Sequence, residues 1–234
     1  MKIVISGTYS TGKTTTALAL SLLTGIPKIR ARTMREILPA TFPGKRLEKC
    51  NFHELIELGV RRFTERTVAE QGMELFISDG CPLQEWIYGT TRVITGLNPA
   101  EKPWKNHLDR LLHPNRWNVY EATLTGFGMV VKEYTKKQYD AIIHLPVEFP
   151  FDPDGHRPAS ESFRQESEIL LRETYAAMGV EVFEAKGNLE DRLSKIIEFL
   201  DVSPVISVYE AITKANRIKK EKFDSIQIES ANNY

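Results

Sequence analysis

The chain has 234 residues, 41% of them hydrophobic, with 31 basic and 31 acidic side chains, which is enough apolar material for one α/β domain with a substantial core. A formal net charge of zero excludes a whole-molecule field that would draw it to DNA or to an anionic membrane. Cys50 and Cys81 form neither a metal-ligand spacing nor a disulfide framework, and no apolar run approaches the roughly 18 residues of a membrane span.

The chain enters its first strand at once, leaving no room for a signal peptide, so a cytoplasmic setting is expected. That strand is Ile3-Val4-Ile5, and Gly7-Thr8-Tyr9-Ser10-Thr11-Gly12-Lys13-Thr14 follows it, fitting G-x-x-x-x-G-K-[ST]. Glycines at both ends let the backbone curl, so that successive N–H groups cradle phosphate oxygens at the positive end of the next helix. Lys13 would reach the β- and γ-phosphates, and Thr14 would offer its hydroxyl to Mg²⁺. A chance match in a Gly/Thr-rich loop is the alternative; the complete pattern in its correct strand and helix context weighs against it.

The Ala/Leu-rich run after the loop predicts a helix that stops at Gly25, with Pro27 beyond. Residues 28 to 38 hold Arg30, Arg32, Arg35 and Glu36, where a P-loop kinase ends its second strand and begins its acceptor pocket. Some of these arginines meet an anionic acceptor or phosphate, or they form a solvated basic face. Residues 39 to 50 read as a loop, and Asn51 caps a helix over residues 52 to 71 that buries Leu55, Ile56, Val60, Phe63 and Val68. On its other faces Glu57 and Arg61, with Glu54, Arg62 and Glu65, line an acceptor cleft or pair at i,i+4 in solvent.

Gly72 breaks that helix, and residues 75 to 79 form a short apolar strand ending in Asp79. A carboxylate there points into the crevice where an open α/β sheet binds ligands. It would hold Mg²⁺ through water, accept the proton of an attacking hydroxyl, or simply cap the turn before Pro82. The helical pattern from residue 83 to 95 carries Trp86 and Tyr88, which stack on a planar acceptor or lie in the core. Residues 96 to 118 read as a loop with a short helical piece around residues 107 to 112, and helix resumes near Val119 and runs to Lys137. A second buried-type strand spans residues 140 to 145.

Asp152-Pro-Asp-Gly-His-Arg157 then leads through Ser160 and Ser162 into Phe163-Arg164 and a helix to about Met178. A polar flap in this position closes over a transferring phosphate, with Arg157 and Arg164 neutralising its equatorial oxygens, or is a plain surface loop. Residues 180 to 183 make a last strand, and a helix covers residues 189 to 200; in nucleotide kinases the turn before it borders the adenine, which makes Asn188 or Arg192 a base contact. Residues 201 to 234 form a helical appendage with an apolar stripe at Val208, Ala211, Ile212 and Ala215, a basic end and a frayed tail from residue 229. The stripe packs against the domain or against a second subunit in a homodimer.

Three motifs carry a resemblance: Gly7-x-Tyr9-Ser10-Thr11-Gly12-Lys13-Thr14-Thr15, Asp79 in an Asp-x-x-Pro-Leu setting, and Asp154-Gly155-x-Arg157 followed by Arg164. Over residues 1 to 200 the chain resembles the AAA-like family of small P-loop kinases that includes the ribosylnicotinamide kinase domain of the bacterial NAD regulator. The resemblance implies an α/β P-loop NTPase fold, with a parallel five-stranded sheet flanked by helices, nucleoside-monophosphate-kinase-like with a lid. It implies ATP with Mg²⁺ and transfer of the γ-phosphoryl to a hydroxyl of a small molecule, a nucleoside or nucleoside-like metabolite first. Residues 7 to 15, with Arg192, would then hold ATP; Thr14 and Asp79 the metal; and Lys13, Asp79, Arg157 and Arg164 would carry the chemistry. Arg35, Glu57, Arg61, Trp86 and Tyr88 would surround the acceptor. Relatives often follow the strand-end Asp with Arg, where this chain has Gly80, which points to a different acceptor. Two other readings fit the loop: an ATPase or GTPase switch signalling to a protein partner, although no guanine-reading N-K-x-D occurs, and a kinase of nucleic-acid 5′ ends, against which the neutral charge stands.

Overall fold

A computed structural model describes residues 1 to 98, 103 to 150 and 160 to 231. Short runs of β-branched and aromatic residues make the strands β1 (Lys2–Ser6), β2 (Phe76–Asp79), β3 (Ala141–His144) and β4 (Phe183–Glu184). They lie in the order β2-β1-β3-β4 and every pairing is parallel, so each strand returns through helical crossovers. These helices are α1 (Lys13–Thr24), α2 (Met34–Thr41), α3 (Phe52–Glu70), α4 (Leu83–Thr95), α5 (Pro103–Leu112), α6 (Pro114–Gln138), α7 (Glu161–Met178), α8 (Leu189–Leu200) and α9 (Val208–Ala231).

Alternation along the strands divides the core in two. Val4, Phe76 and Ile142 face a layer with Ile87, Trp117, Leu124 and Leu171, while Ile3, Ile5, Ile77 and Ile143 face Leu20, Leu23 and Leu193. The last helix adds Ala211 and Ala215 to the second layer, and the Val205 N–H donates to the Leu23 carbonyl at 2.7 Å. Register sets Ile5 beside Asp79 and Ser6 beside His144. The carboxyl ends of β1, β2 and β3 therefore open together at one edge, where ligands bind in such sheets.

Several element ends follow local chemistry. Gly25 closes α1 in the left-handed region at φ 75°, its N–H on the Ser21 carbonyl. Asn51 opens α3 with a capping box: its side chain accepts the Glu54 N–H at 3.1 Å while Glu54 accepts the Asn51 N–H at 2.8 Å, an arrangement that contributes about 1 kcal/mol.

The fold departs from expectation in several places. On α3, Val60 and Val68 are exposed, and Phe52 and Leu58, with Arg66 and Glu70, take the buried face. Among the described residues the sheet has four strands, and the anticipated fifth is reduced to one parallel bridge, Lys28 to Ile77. Only the stretch from Pro27 to Ile29 can pair there, through Ile29 N–H to Ile77 O at 2.8 Å and Ile77 N–H to Pro27 O at 2.9 Å. Gly25 and Pro27 interrupt it on one side, and the chain turns into the Thr33 cap of α2 on the other. The loop expected over residues 39 to 50 is helical as far as Thr41 and holds a 3₁₀ turn, Leu47–Lys49. Helix also fills most of the loop expected over residues 96 to 118, because Pro114 is at the start of α6, where a missing N–H costs nothing. No helix among the described residues is long and apolar enough to cross a membrane.

Candidate active site at the phosphate loop

The β1–α1 connection has the backbone of an anion cradle. Gly7 and Gly12 adopt φ 137° and 90°, and Ser10 between them is left-handed at 61°. A Cβ on Gly7 would meet the Leu145 carbonyl oxygen at 2.5 Å and Thr11 Oγ1 at 2.8 Å, so only glycine fits. Thr11 braces the loop from inside by donating to the Thr8 carbonyl at 2.9 Å, and the Lys13 ammonium donates to that carbonyl too. Gly12 caps α1 without a side-chain acceptor, which leaves the first-turn N–H groups directed at whatever enters the loop. Thr8 and Thr11 are buried, Tyr9 nearly so, and Thr14 and Ser10 are exposed at the mouth; Thr15 follows, half-buried, in the first turn.

Asp79, on the neighbouring strand, reaches this mouth. Its Oδ1 accepts from Thr14 Oγ1 at 3.3 Å, and Lys28 Nζ lies 3.6 Å from Oδ2. A hydroxyl and a carboxylate side by side are hard oxygen donors that suit Mg²⁺. Among the described residues no group of three His, Cys, Asp or Glu gathers to hold a metal, so an ion here would complete its shell with phosphate and water.

Arg192, expected at the base, contacts the phosphate loop from α8. Its Nη1 donates to the Thr11 carbonyl at 2.7 Å and its Nη2 pairs with Glu148 at 2.9 Å, with the guanidinium 5.6 Å over the Phe149 ring. Glu148 also accepts the Gly187 N–H at 3.0 Å. Burial works to raise the Glu148 pKa, but the hydrogen bonds from Arg192 and Gly187 and the Arg192 charge hold it below its ordinary value.

A second buried arginine supports the Asp79 strand end. Arg66 of α3 donates to Ser78 Oγ at 2.9 Å, to the Asp79 carbonyl at 3.0 Å and to the Gly80 carbonyl. Burial opposes its charge, yet Tyr139, Glu85, Glu70 and Asp79 keep its pKa above the ordinary value. Arg62, one turn earlier, lies 3.5 Å from Glu85 and donates to the Arg32 carbonyl.

Tyr9 leaves the loop toward α4 and α7. Its ring lies 5.9 Å from Tyr88 and 6.0 Å from Phe163, and its hydroxyl donates to the Ser160 carbonyl at 3.0 Å. Tyr88 is thereby beside the phosphate site, whereas Trp86 packs in the core against Gly128 and under the Lys132 ammonium. Glu57 and Arg61 pair with each other at 2.8 Å on an exposed face of α3. Arg164 is buried and donates to the Phe149 carbonyl at 2.8 Å and to Glu161 at 3.0 Å, joining the two flanks of the arginine-bearing flap. Arg157 and the rest of that flap, the Arg35 side chain and residues 232 to 234 of the tail lie outside the described residues.

Sequence reasoning did not find the Arg66 anchor, the Glu148 partner of Arg192, or a buried pair at the end of β3, where His144 Nε2 meets Glu168 Oε1 at 2.7 Å. Beside it Ser6 Oγ and Tyr175 OH share a hydrogen bond of 2.6 Å. Each depends on contacts between distant segments and leaves no local spacing to read.

A family model described as an AAA domain matches residues 2–192. No curated protein shows significant similarity to the chain. Among solved structures, a deoxyadenosine kinase from M. mycoides with bound dATP superposes with a TM-score of 0.60 at 16% identity, covering 86% of this chain and 99% of that one. The same kinase with bound dCTP gives 0.55 at 18% identity, over 86% and 99%. The NadR protein in complex with NR gives 0.56 at 16% identity, over 88% of this chain and 53% of that one. At such identities the likeness establishes the P-loop, nucleoside-monophosphate-kinase-like fold.

Proposed function

The chain belongs to the AAA domain family, and within it we propose that this protein is an ATP-dependent kinase of a small hydroxyl-bearing molecule, with a nucleoside or nucleoside-like metabolite as acceptor. The observation that carries the reading is the meeting of Thr14 and Asp79, 3.3 Å apart, at the open end of a complete phosphate loop. A loop alone binds a nucleotide; a carboxylate beside its mouth adds a group that can act on an acceptor. The ligands of the structural neighbours, dATP, dCTP and NR, support a nucleoside-like acceptor.

In this mechanism the N–H groups of residues 7 to 14 and the Lys13 ammonium bind and orient the triphosphate. Asp79, whose Oδ2 lies 3.6 Å from Lys28 Nζ, takes the proton of the acceptor hydroxyl as its oxygen attacks the γ-phosphorus. The bond from that phosphorus to the β–γ bridging oxygen breaks, and ADP leaves with the electron pair. Thr14 Oγ1 and Asp79 would hold Mg²⁺, which when bound neutralises charge on the β- and γ-phosphates. Arg157 is assigned to the charge on the transferring group. Arg164, expected beside it, is buried on α7 against the Phe149 carbonyl and Glu161 and supports the flap at its two flanks; Tyr88 bounds the acceptor. The reaction is assigned to residues 1 to 200, with residues 201 to 234 as an appendage, and to the cytoplasm.

Titration calorimetry with ATP and with GTP, on wild type and Lys13→Ala, tests this reading. Tighter binding of ATP than of GTP is expected, with both weakened in the variant because Lys13 serves the phosphates that the two share; preference for GTP would favour a switch and contradict the reading.

A further inference from the structure

Three consecutive residues at the end of β2 are held by one side chain from another element. Arg66 is 1% exposed, and its Nη1 faces Ser78 Oγ, the Asp79 carbonyl and the Gly80 carbonyl together. Behind this contact the polar groups continue without a gap. Ser78 Oγ donates to Glu70 Oε1 at 2.6 Å, and the Glu70 carboxylate accepts from Tyr134 at 2.8 Å and from Tyr139 at 2.9 and 3.0 Å. Glu85 lies 3.9 Å from Arg66 Nη2 on the other side. All three strand-end acceptors gather on Nη1, with Glu85 the counter-charge near Nη2, so the guanidinium is oriented by the turn that it holds.

Gly80 completes the arrangement. Its φ is 94°, and a Cβ there would lie 2.7 Å from Gln84 Oε1 and 3.2 Å from Arg66 Nη2. Gln84 Oε1 accepts the Cys81 N–H at 3.0 Å, so it is not free to retreat. The space a side chain at position 80 would need is the space the Arg66 guanidinium and the Gln84 amide occupy.

We propose that Arg66 is a positioning residue for Asp79: by clamping the Ser78 and Gly80 ends of the turn it keeps the Asp79 carboxylate against the Thr14 hydroxyl, and Gly80 is required because it leaves room for the clamp. This rests on the kinase reading only in assigning Asp79 to the nucleotide-bound metal. A backbone shift at residue 79 is amplified at its carboxylate, and outer-shell supports of this kind are worth about 10- to 100-fold in metal affinity.

The test is a calorimetric titration of the full chain with AMP-PNP, in Mg²⁺ and in EDTA. In wild type Mg²⁺ strengthens binding, and Asp79→Asn abolishes that strengthening. Arg66→Lys and Gly80→Ala are each expected to lose about tenfold of it or more while affinity in EDTA stays at the wild-type value. A purely structural role would lower both affinities together or neither. If Arg66→Lys does not fold, Gly80→Ala, which keeps the buried charge, decides alone. Wild-type strengthening retained in Gly80→Ala and in any folded Arg66→Lys, or equal loss in Mg²⁺ and in EDTA, overturns the proposal while the kinase reading stands. Failure of wild type to bind AMP-PNP, or full strengthening in Asp79→Asn, removes the role assigned to Asp79 and the proposal with it.

Discussion

Arg192 and Glu148 form an ion pair of 2.9 Å directly beneath the phosphate loop, and the same guanidinium holds the Thr11 carbonyl at 2.7 Å. The loop thus has a floor supplied by residues far along the chain. Because Glu148 is held below its ordinary pKa, its contribution is complete above that ordinary value and is lost as pH falls through the lowered one. Glu148→Gln should lower stability by about 2 kcal/mol near neutrality, less than for a wholly buried pair because Glu148 is partly exposed. In thermal melts across the acid range the gap between wild type and variant should stay constant down to the ordinary carboxylate pKa, then narrow. A gap that widens toward low pH would contradict this sign.

Gly7→Ala should cost about 3 kcal/mol in urea unfolding and remove nucleotide binding in calorimetry. The added methyl would meet a backbone oxygen, Leu145 O, at 2.5 Å in a residue at φ 137°, and rotating the Thr11 side chain, the other contact at 2.8 Å, would not relieve it.

Trp86 and Gly128 pack so closely that a Cβ on Gly128 would lie 2.6 Å from the indole Nε1. Gly128→Ala should therefore destabilise by about 2 kcal/mol, and Trp86→Phe should lower stability while leaving nucleotide affinity unchanged. A raised acceptor KM in Trp86→Phe, with stability intact, would instead return Trp86 to the acceptor cleft.

Asp79→Asn keeps the shape of the strand end but removes the proton acceptor. We expect kcat for ADP formation in the presence of acceptor to fall by about 10²- to 10⁴-fold with nucleotide affinity in EDTA unchanged. A fall in affinity with kcat preserved would assign Asp79 to ground-state binding alone.

Features built from neighbouring residues could be read in advance. The loop from Gly7 to Thr14, the Asn51 cap, the Gly25 stop, the helix at residues 83 to 95 and the strand ending in Asp79 all have short-range causes, and each lies where its local pattern places it. Proline breaks helices less often here than its local signature suggests: Pro114 opens a helix and Pro39 lies inside one. The shortened fifth strand depends on how few residues separate Gly25 from the Thr33 cap. Least legible were the side chains that reach across: Arg192 to Thr11, Arg66 to Gly80, His144 to Glu168. An arginine on a mixed-charge helix has the same local signature whether it faces solvent or a strand end, and only the tertiary fold decides.

Transfer of label from γ-labelled ATP to a panel of nucleosides and related hydroxyl compounds, run with wild type and Lys13→Ala, decides whether the protein is a kinase of a nucleoside-like acceptor. Label on a nucleoside-like acceptor is expected with wild type and none with the variant. Label released only as inorganic phosphate across the whole panel, or equal transfer by Lys13→Ala, would contradict it.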